Sequence, residues 1–268
     1  MATELDYMEY ATDAAARTAY VSNAGFDSYT KLLLHCNGAD ASTSFIDETG
    51  KTVTAYGNAQ IDTAQSKFGG ASGLFDGTGD YLTVPNSSDF AFGTGDFTFD
   101  FNVRYFSIPA FSWFIGGSTG NNFDVWYAQS ASSVKISLVG NEYLFAWFPS
   151  VNTWYHIAIA RDAGNLRVFV DGTQIGTTQS ANINCPQDGV IIGSQFNHSY
   201  FLDGWLDELR ISKGIARWTA NFTPPNLAYY KQLDIFSEAT IKTQGLYSLK
   251  GIAAITDSLN KTLTRTII

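Results

Sequence analysis

The feature that most constrains the fold is a pair of consecutive hairpins between residues 154 and 176. Apolar side chains recur at every second position on both sides of the first turn, at Ile157, Ile159, Leu166, Val168 and Val170. A period of two is typical of a half-buried β-strand. Residues 161–165 and the pair Asp171-Gly172 separate these runs, and Asp-Gly indicates a hairpin because both residues tolerate positive φ. We therefore predict three antiparallel strands side by side, followed by two more at 190–194 and 204–212.

Composition and length agree with an all-β chain. Aromatic residues make up 15% of the 268 residues, charged residues only 15%, and there are 24 glycines. This is typical of sheets and turns rather than of helices. A chain of this length can bury one large β core and still carry extensions. In residues 97–104, Phe97, Phe99, Phe101 and Val103 are predicted to face the core, with Thr98, Asp100, Asn102 and Arg104 on the opposite face.

Five segments resemble, in the same order, strands of the concanavalin A-like jelly roll in its laminin-G-like form. They are ASGLFDGTGDYLTV at 71–84, DFTFDFNVR at 96–104, WYHIAIAR at 154–161, LRVFVDGTQIG at 166–176 and GWLDELRIS at 204–212. The resemblance covers roughly residues 29–227. It implies a two-sheet antiparallel jelly-roll sandwich. The same fold carries lectins, adhesion modules, glycosidases and virion proteins, so the resemblance alone does not assign a function.

The chain is predicted to divide into three parts. Residues 1–28 read as a short helical arm with net charge −4, residues 29–228 as the sandwich with −7, and residues 229–268 as a C-terminal β extension with +2. The extension reads as three strands broken at 244–245 and 257–258, and it resembles the opening strands of a second, carbohydrate-binding-type jelly roll. About forty residues cannot supply an independent core. We expect the two oppositely charged ends to dock on other subunits, or, alternatively, the extension to wrap its own domain.

Charge and hydropathy exclude several classes of partner. The net charge of −9 argues against nucleic acid, because phosphate binding needs a basic face. No apolar run reaches the length of a membrane-spanning helix, and the N-terminus lacks the pattern of a secretory signal. Cys36 and Cys185 are predicted to be free thiols, since no oxidising compartment is indicated.

One motif points to catalysis, and its context argues against it. Glu4, Asp6 and Glu9 match the E-x-D-x-x-E signature of the retaining glucanases that share this fold. In those enzymes two carboxylates flank the sugar from one strand. Here the match lies outside the sandwich in a predicted helix, where the three side chains would point in different directions. We also expect His156 to be a hydrogen-bonded strand histidine. The sequence therefore predicts a protein that is not an enzyme.

The resemblance implies one structural Ca²⁺ site. The aspartate of the last long strand, Asp207, often ligates Ca²⁺ in relatives, together with groups from the first strand region, here Asn37 and Asp40. Carboxylate and carbonyl oxygens suit this ion. The alternative is that Asp207 only accepts hydrogen bonds from backbone amides. Residues 76–80 are expected to form a hairpin turn, with a second calcium site at Asp76, Asp80 or Asp124 as the alternative.

Glycan binding needs aromatic rings with polar neighbours in a shallow groove. The candidates are Trp126 and Tyr127, which follow the polar stretch Asn121-Asn122-Phe123-Asp124, together with Tyr143, Trp147, and His198 and Tyr200 on either side of Ser199. The alternative for any one of these rings is a place in the core.

The sandwich segments, the ending RWTANFTPP at 217–225 and the unprocessed N-terminus resemble bacteriophage and other virus structural proteins. We therefore predict a non-enzymatic virion protein of the fibre or capsid-decoration type, at the particle surface. Its partners would be copies of itself or other virion subunits, bound through both ends, and a host surface glycan held by the sandwich. The alternatives are a free-standing extracellular lectin or adhesion module and a glycoside hydrolase or lyase.

Overall fold

The computed structural model describes residues 26–120 and 122–229, and the backbone of residues 252–256 and 262–266. The predicted helical arm at 1–28, with Glu4, Asp6 and Glu9, therefore lies almost wholly outside the described residues, as does most of the C-terminal extension. The chain divides into two compact units, Met1–Lys231 and Gln232–Ile268.

The described part of the first unit is built from short strands joined by turns. In chain order they are β1 (Thr30–Leu34), β2 (Thr54–Tyr56), β3 (Gln60–Asp62), β4 (Ser72–Asp76), β5 (Tyr81–Ser87), β6 (Phe97–Tyr105), β7 (Phe111–Gly117), β8 (Phe123–Ala128), β9 (Ser133–Leu138), β10 (Asn141–Ala146), β11 (Trp154–Asp162), β12 (Asn165–Val170), β13 (Thr173–Ser180), β14 (Asp188–Ile192) and β15 (Asp203–Lys213). Two single-turn 3₁₀ helices, Ser88–Phe90 and Gln129–Ala131, follow β5 and β8.

These strands form two antiparallel sheets. The eight-stranded sheet has the order β13-β12-β11-β6-β15-β4-β3, with β1 also paired to β15. The seven-stranded sheet has the order β10-β9-β8-β7-β14-β5-β2. Each sheet buries one face against the other, which confirms the predicted all-β jelly-roll sandwich.

The two predicted hairpins are confirmed. β11 pairs with β12, and Ile157 lies opposite Val170. β12 then pairs with β13 across Asp171-Gly172, where both residues have positive φ, +47° and +76°. The two later strands are β14 and β15, whose bounds differ from the predicted ones by one or two residues.

The core lies between the sheets and is rich in phenylalanine. Phe97, Phe99 and Phe101 of β6 are fully buried, as their alternation predicts. Phe99 packs against Phe92 and Phe123, with ring centroids 5.1 and 5.6 Å away. Each such side chain contributes about 1.5–3 kcal/mol through burial. Both cysteines are free and buried, as predicted.

The opposite face of β6 is also covered. Asp100 and Asn102 point away from the core, yet both are buried. Residues 214–229 run across this outer face after β15. Trp218 and Phe222 stack 4.1 Å apart in this segment, and they pack on a cluster of small and aromatic side chains formed by Ala158, Ala160 and Phe169. The short alanine side chains leave room for the two rings.

The predicted hairpin turn at residues 76–80 is wrong. β4 belongs to the eight-stranded sheet and β5 to the seven-stranded one, so this turn carries the chain from one sheet to the other. The Asp80 carboxylate holds the turn, because it accepts hydrogen bonds from the backbone N–H groups of Asp76 and Asn58. The pairing partners of β4 and β5 are therefore set by contacts with strands distant in sequence, not by the residues of the turn.

In the second unit, β16 (Ile252–Thr256) and β17 (Thr262–Thr266) form a two-stranded antiparallel sheet, with Ile252 opposite Thr266. The predicted break at 257–258 falls between these strands, outside the described residues. Within the described part of the chain, no helix has the length and hydropathy that a membrane span requires.

Candidate functional site

A row of aromatic rings crosses the outer face of the seven-stranded sheet. The strand register places Tyr56 of β2 opposite Tyr81 of β5, and Trp113 of β7 opposite Trp126 of β8. Directly opposite residues share a face of a sheet. Between these pairs, next to β14, stands Gly193, which has no side chain. The loop of residues 193–202 supplies two rings there, His198 and Tyr200. We call these six residues the aromatic row.

The rings of the aromatic row are stacked in two sets. Tyr81 lies between Tyr56 and His198, with centroids 4.6 and 4.2 Å away. Trp113 lies between Trp126 and Tyr200, at 4.7 and 5.5 Å. Such pairs contribute about 0.5–1.5 kcal/mol beyond burial. Because the middle rings use both faces, a ligand on this surface would contact ring edges and the outer members of each set.

The 193–202 loop is a closed and locally strained segment. The Leu202 N–H donates to the Gly193 carbonyl at 2.8 Å, and the Gln195 N–H donates to the Ser199 carbonyl at 2.9 Å. His198 and Tyr200 both have a φ of +57°. Side chains rarely adopt this region, at a cost of about 1–3 kcal/mol each. The stacking of both rings on the sheet offsets this cost and leaves Tyr200 48% exposed.

Polar side chains lie beside the aromatic row. Asp124, Ser137 and Glu142 stand opposite one another on β8, β9 and β10. Asp124 Oδ1 accepts a hydrogen bond from Trp113 Nε1 at 3.2 Å. Lys135 lies 5.8 Å from the Trp126 ring centroid and 3.2 Å from Glu142 Oε2. This surface therefore combines rings with hydroxyl and carboxylate groups, which is the chemistry that sugar binding uses.

Of the six rings predicted for glycan binding, the structure brings Trp126, His198 and Tyr200 together in the aromatic row. The other three, Tyr127, Tyr143 and Trp147, lie on the inner side of the same sheet, where Tyr127 and Trp147 are buried in the core and Tyr143 packs against it. Successive residues of a strand point to opposite faces, so Trp126 and Tyr127 cannot share a surface. We therefore leave these three out of the candidate site.

Sequence reasoning missed Tyr56, Tyr81 and Trp113. Trp113 lies in the strand segment FSWFIGG, which is apolar on both sides and shows no alternation. A register shift between Trp113 and Ile115 further breaks the period of two. The only available signal was for Tyr81, which lies in the segment 71–84 that resembles a strand pair of the jelly roll.

The calcium candidate Asp207 lies on the outer face of the eight-stranded sheet and is fully buried. Its Oδ2 accepts hydrogen bonds from the backbone N–H groups of Lys67 and Phe68, at 2.8 and 3.0 Å, as the alternative interpretation expected. Its Oδ1 has no hydrogen-bond partner among the described residues. Burial, and the nearby Glu208 carboxylate, raise the pKa of Asp207 to about 7. One carboxylate oxygen is thus free to ligate a cation.

The other two calcium candidates, Asn37 and Asp40, differ in where their side chains lie. The Asn37 side chain lies against Gly69, which follows Lys67 and Phe68, the residues whose backbone amides bind Asp207. Asp40 is engaged elsewhere, because its Oδ1 accepts hydrogen bonds from the N–H and hydroxyl of Thr63. Within the described residues, no three His, Cys, Asp or Glu side chains form a metal-binding group. A Ca²⁺ ion at Asp207 would therefore need backbone carbonyls for most of its ligands, and the calcium site stays a prediction.

A buried charge network lies beside this site. Asp100 accepts hydrogen bonds from Arg210 Nε at 2.9 Å and from the Tyr229 hydroxyl at 2.5 Å. The Arg210 guanidinium also lies 3.8 Å from the Tyr229 ring centroid. Burial by itself would raise the pKa of Asp100, but the Arg210 charge and the nearby His156 lower it to about 2. Asp100 is therefore ionised at neutral pH, and the network fixes residue 229 to the sheet.

Solved structures similar to this chain share its fold at low sequence identity. Domain 4 of AbnA, a GH43 extracellular arabinanase from Geobacillus stearothermophilus in complex with arabinotriose, has a TM-score of 0.51 and 17% identity over 70% of this chain and 95% of that one. Botulinum neurotoxin type C, whose cell entry depends on two ganglioside molecules, has a TM-score of 0.52 and 13% identity over 75% of this chain. Trypanosoma rangeli sialidase has a TM-score of 0.52 and 11% identity over 75% of this chain.

The match spans half of the neurotoxin chain and 35% of the sialidase chain. At these identities the likeness shows the fold alone. No curated protein sequence matches this chain. The sequence model of the concanavalin A-like lectin/glucanases superfamily matches residues 76–217, more than half of the chain, and the protein therefore belongs to that superfamily.

Proposed function

We propose that this protein is a non-enzymatic, lectin-like module that binds a glycan at the aromatic row. The observation that carries the proposal is the row itself: six stacked rings from four strands and one loop, with Asp124, Ser137 and Glu142 beside them. Rings supply the apolar surface that the C–H faces of sugars prefer, and the polar groups bind hydroxyls. Tyr56, His198 and Tyr200 are the members exposed to a ligand.

Similar structures support this class of ligand. The AbnA domain holds arabinotriose, and a botulinum neurotoxin binding domain similar to this chain, with a TM-score of 0.50 and 13% identity, is in complex with SialylT. These ligands belong to those proteins. They make a sugar the first class of ligand to test here. Backbone strain tends to occur at functional sites, so the strained residues His198 and Tyr200 mark the 193–202 loop as the part of the site to test first.

We propose binding without turnover. The carboxylates beside the aromatic row are already engaged, Asp124 with the Trp113 indole and Glu142 with Lys135. Glycoside hydrolysis needs one carboxyl group free to protonate the leaving oxygen and a second free to attack or activate water. A reducing-end assay on polysaccharide should therefore give no signal above that of the heat-inactivated chain.

We further propose that the sandwich is displayed on a virion and is held there by its ends. The support is the resemblance of the sequence to virus structural proteins and the opposite charges of the sandwich and the C-terminal extension, −7 and +2. Multivalent display would turn weak glycan sites into useful avidity. The test is the oligomeric state of the full-length chain and of residues 29–228 by light scattering. Two monomers would contradict assembly through the ends.

The glycan proposal is tested with a glycan array followed by calorimetric titration. Tyr200→Ala should weaken binding at least tenfold, because it removes an exposed ring of the aromatic row, 48% exposed. Tyr29→Ala is the matched control, since Tyr29 is a tyrosine of similar exposure, 45% against 48%, outside the aromatic row. Equal affinities of the two variants, or no binding to any glycan, would overturn the proposal.

A further inference from the structure

The edge strands of the two sheets differ in how well they are protected against pairing with another chain. β2 and β3 are only three residues long. Residues 47–51 bond to the free side of β1. β13 has a register shift against β12, and its Gln174 N–H donates to the Asn221 side chain. Among the described edge strands, β10 alone lacks such protection, because its six residues pair with β9 without a shift and include neither lysine nor proline.

The hairpin between β9 and β10 determines which backbone groups of β10 face outward. Its turn, Val139-Gly140, has positive φ at both residues, +50° and +77°, as in a type I′ turn, so the flanking pair 138 and 141 is hydrogen-bonded. Bonded and non-bonded pairs alternate along an antiparallel ladder. The Trp147 N–H donates to the Ser132 carbonyl, in agreement with this alternation. Three residues, all exposed, therefore direct their N–H and C=O groups away from β9: Glu142, Leu144 and Ala146.

Exposed apolar side chains line the same edge. Val139 at the turn is 42% exposed and Leu144 in the middle of β10 is 50% exposed. Phe148, two residues beyond β10, is 76% exposed, more than any other large apolar side chain of the described residues. The one charged residue of the strand, Glu142, lies 3.2 Å from the Lys135 ammonium group, which neutralises it. Apolar groups beside outward-facing backbone groups favour the addition of another strand.

The edge is complementary to itself about a two-fold axis through Leu144. When Leu144 lies opposite its own copy in an antiparallel pair, Glu142 lies opposite Ala146 of the second copy. All the outward groups then join in three bonded pairs, which make about six hydrogen bonds. The same register places Phe148 opposite the turn of the second copy, beside Val139. A register with Glu142 opposite Glu142 would instead set like charges against each other, which is destabilising.

We propose that β10 pairs in this register with β10 of a second copy of the chain and joins the two seven-stranded sheets into one. The strand of the other sheet that lies against β10 permits this approach. Gly176 of β13 lies against the Phe145 ring. β13 contains no charged residue, so two copies of it meet near the axis without like charges.

The pairing places two aromatic rows on one continuous face. Trp126, Lys135 and Leu144 lie directly opposite one another on β8, β9 and β10. Five strand spacings of about 4.8 Å therefore separate the two copies of Trp126, about 24 Å in all. Two glycan sites on one face would bind a surface with greater avidity than a single site. This consequence rests on the proposed glycan binding, whereas the pairing itself is measured without a glycan.

The test is the mass of the full-length chain in solution, measured by light scattering over a wide range of concentrations. Leu144→Lys places two ammonium groups opposite each other at the two-fold axis. Leu227→Lys is the matched control, because Leu227 has a similar exposure, 47% against 50%, and lies outside β10. The wild type and Leu227→Lys should associate, and Leu144→Lys should halve the mass. Mixing Leu144→Lys with Leu144→Glu should restore it, because opposite charges then meet at the axis.

A monomeric wild type overturns the proposal. So does a mass that Leu144→Lys leaves unchanged, because association would then use another surface, such as the chain ends. Failure of the lysine and glutamate variants to associate when mixed overturns the register and with it the proposal. If Leu144→Lys does not fold, Phe148→Ser should weaken the association severalfold, and an unchanged association would again overturn the pairing. A monomeric chain that still binds a glycan would refute the dimer while supporting the proposed function.

Discussion

Replacing Arg161 by methionine is expected to reduce the free energy of unfolding by about 3 kcal/mol. Arg161, at the end of β11, is fully buried. Its guanidinium donates to the carbonyls of Gly93, Gly95 and Ile183 at 2.6–2.8 Å. It thereby ties the loop before β6 to the loop before β14. Its charge also lies over the Phe97 ring, 4.6 Å from the centroid.

The magnitude follows from the carbonyls that methionine would leave behind. The Gly93 carbonyl keeps a second donor, the Cys185 N–H at 2.9 Å. Within the described part of the chain, the Gly95 and Ile183 carbonyls would lose the strong donors they have in Arg161, and each buried unpaired carbonyl costs about 1–3 kcal/mol. Methionine regains part of this by burying its own apolar stem. A net loss of about 3 kcal/mol would lower Tm by about 10 °C for a domain of this size.

The assay is urea unfolding of the full-length chain followed by tryptophan fluorescence, with calorimetry for Tm. Arg167→Met, on the neighbouring strand, is the control. That change is expected to cost about 1 kcal/mol or less, because the Arg167 side chain is 16% exposed and its ion pair with Asp162 is long, 3.7 Å. Equal losses of stability in the two variants would mean that water replaces Arg161 as the donor to the Gly95 and Ile183 carbonyls. The argument that Arg161 holds the two loops together would then be refuted.

Two further predictions concern carboxylates on the outer face of the eight-stranded sheet. The pKa of Asp100 is lowered to about 2 in the folded chain from 3.8, so its contribution, about 2 kcal/mol, is present above about pH 4 and is lost as the pH falls towards 2. Urea unfolding at pH 7, 4 and 2.5 should show this loss for the wild type and a smaller loss for Asp100→Asn, and equal losses would contradict the prediction. Millimolar Ca²⁺ should raise the Tm of the wild type by several degrees, because an ion that binds only the folded chain stabilises it. Asp207→Asn should abolish this rise and Asp40→Asn should preserve it; a rise that survives Asp207→Asn would remove Asp207 from the calcium site.

Local patterns were enough to predict the strands but not the sites. The alternation in β6 and the Asp171-Gly172 turn depend on neighbours within a few residues, so they could be read directly. The turn at 76–80 was misassigned because the pairing of its flanking strands depends on residues far away in sequence. The aromatic row shows the same limit: Tyr200 stacks on Trp113, which is 87 positions earlier in the chain.

The sequence by itself determined the sandwich class, the hairpins and which side chains of β6 face the core, because strand periodicity and turn conformation are local properties of the backbone. The tertiary structure decided which outward-facing side chains are covered and which meet to form a site. Asn102 and His156 alternate as surface residues would, yet long-range packing buries both, His156 against Trp218 and Phe222. Burial and convergence depend on what the rest of the chain places above a strand, and no local pattern records that.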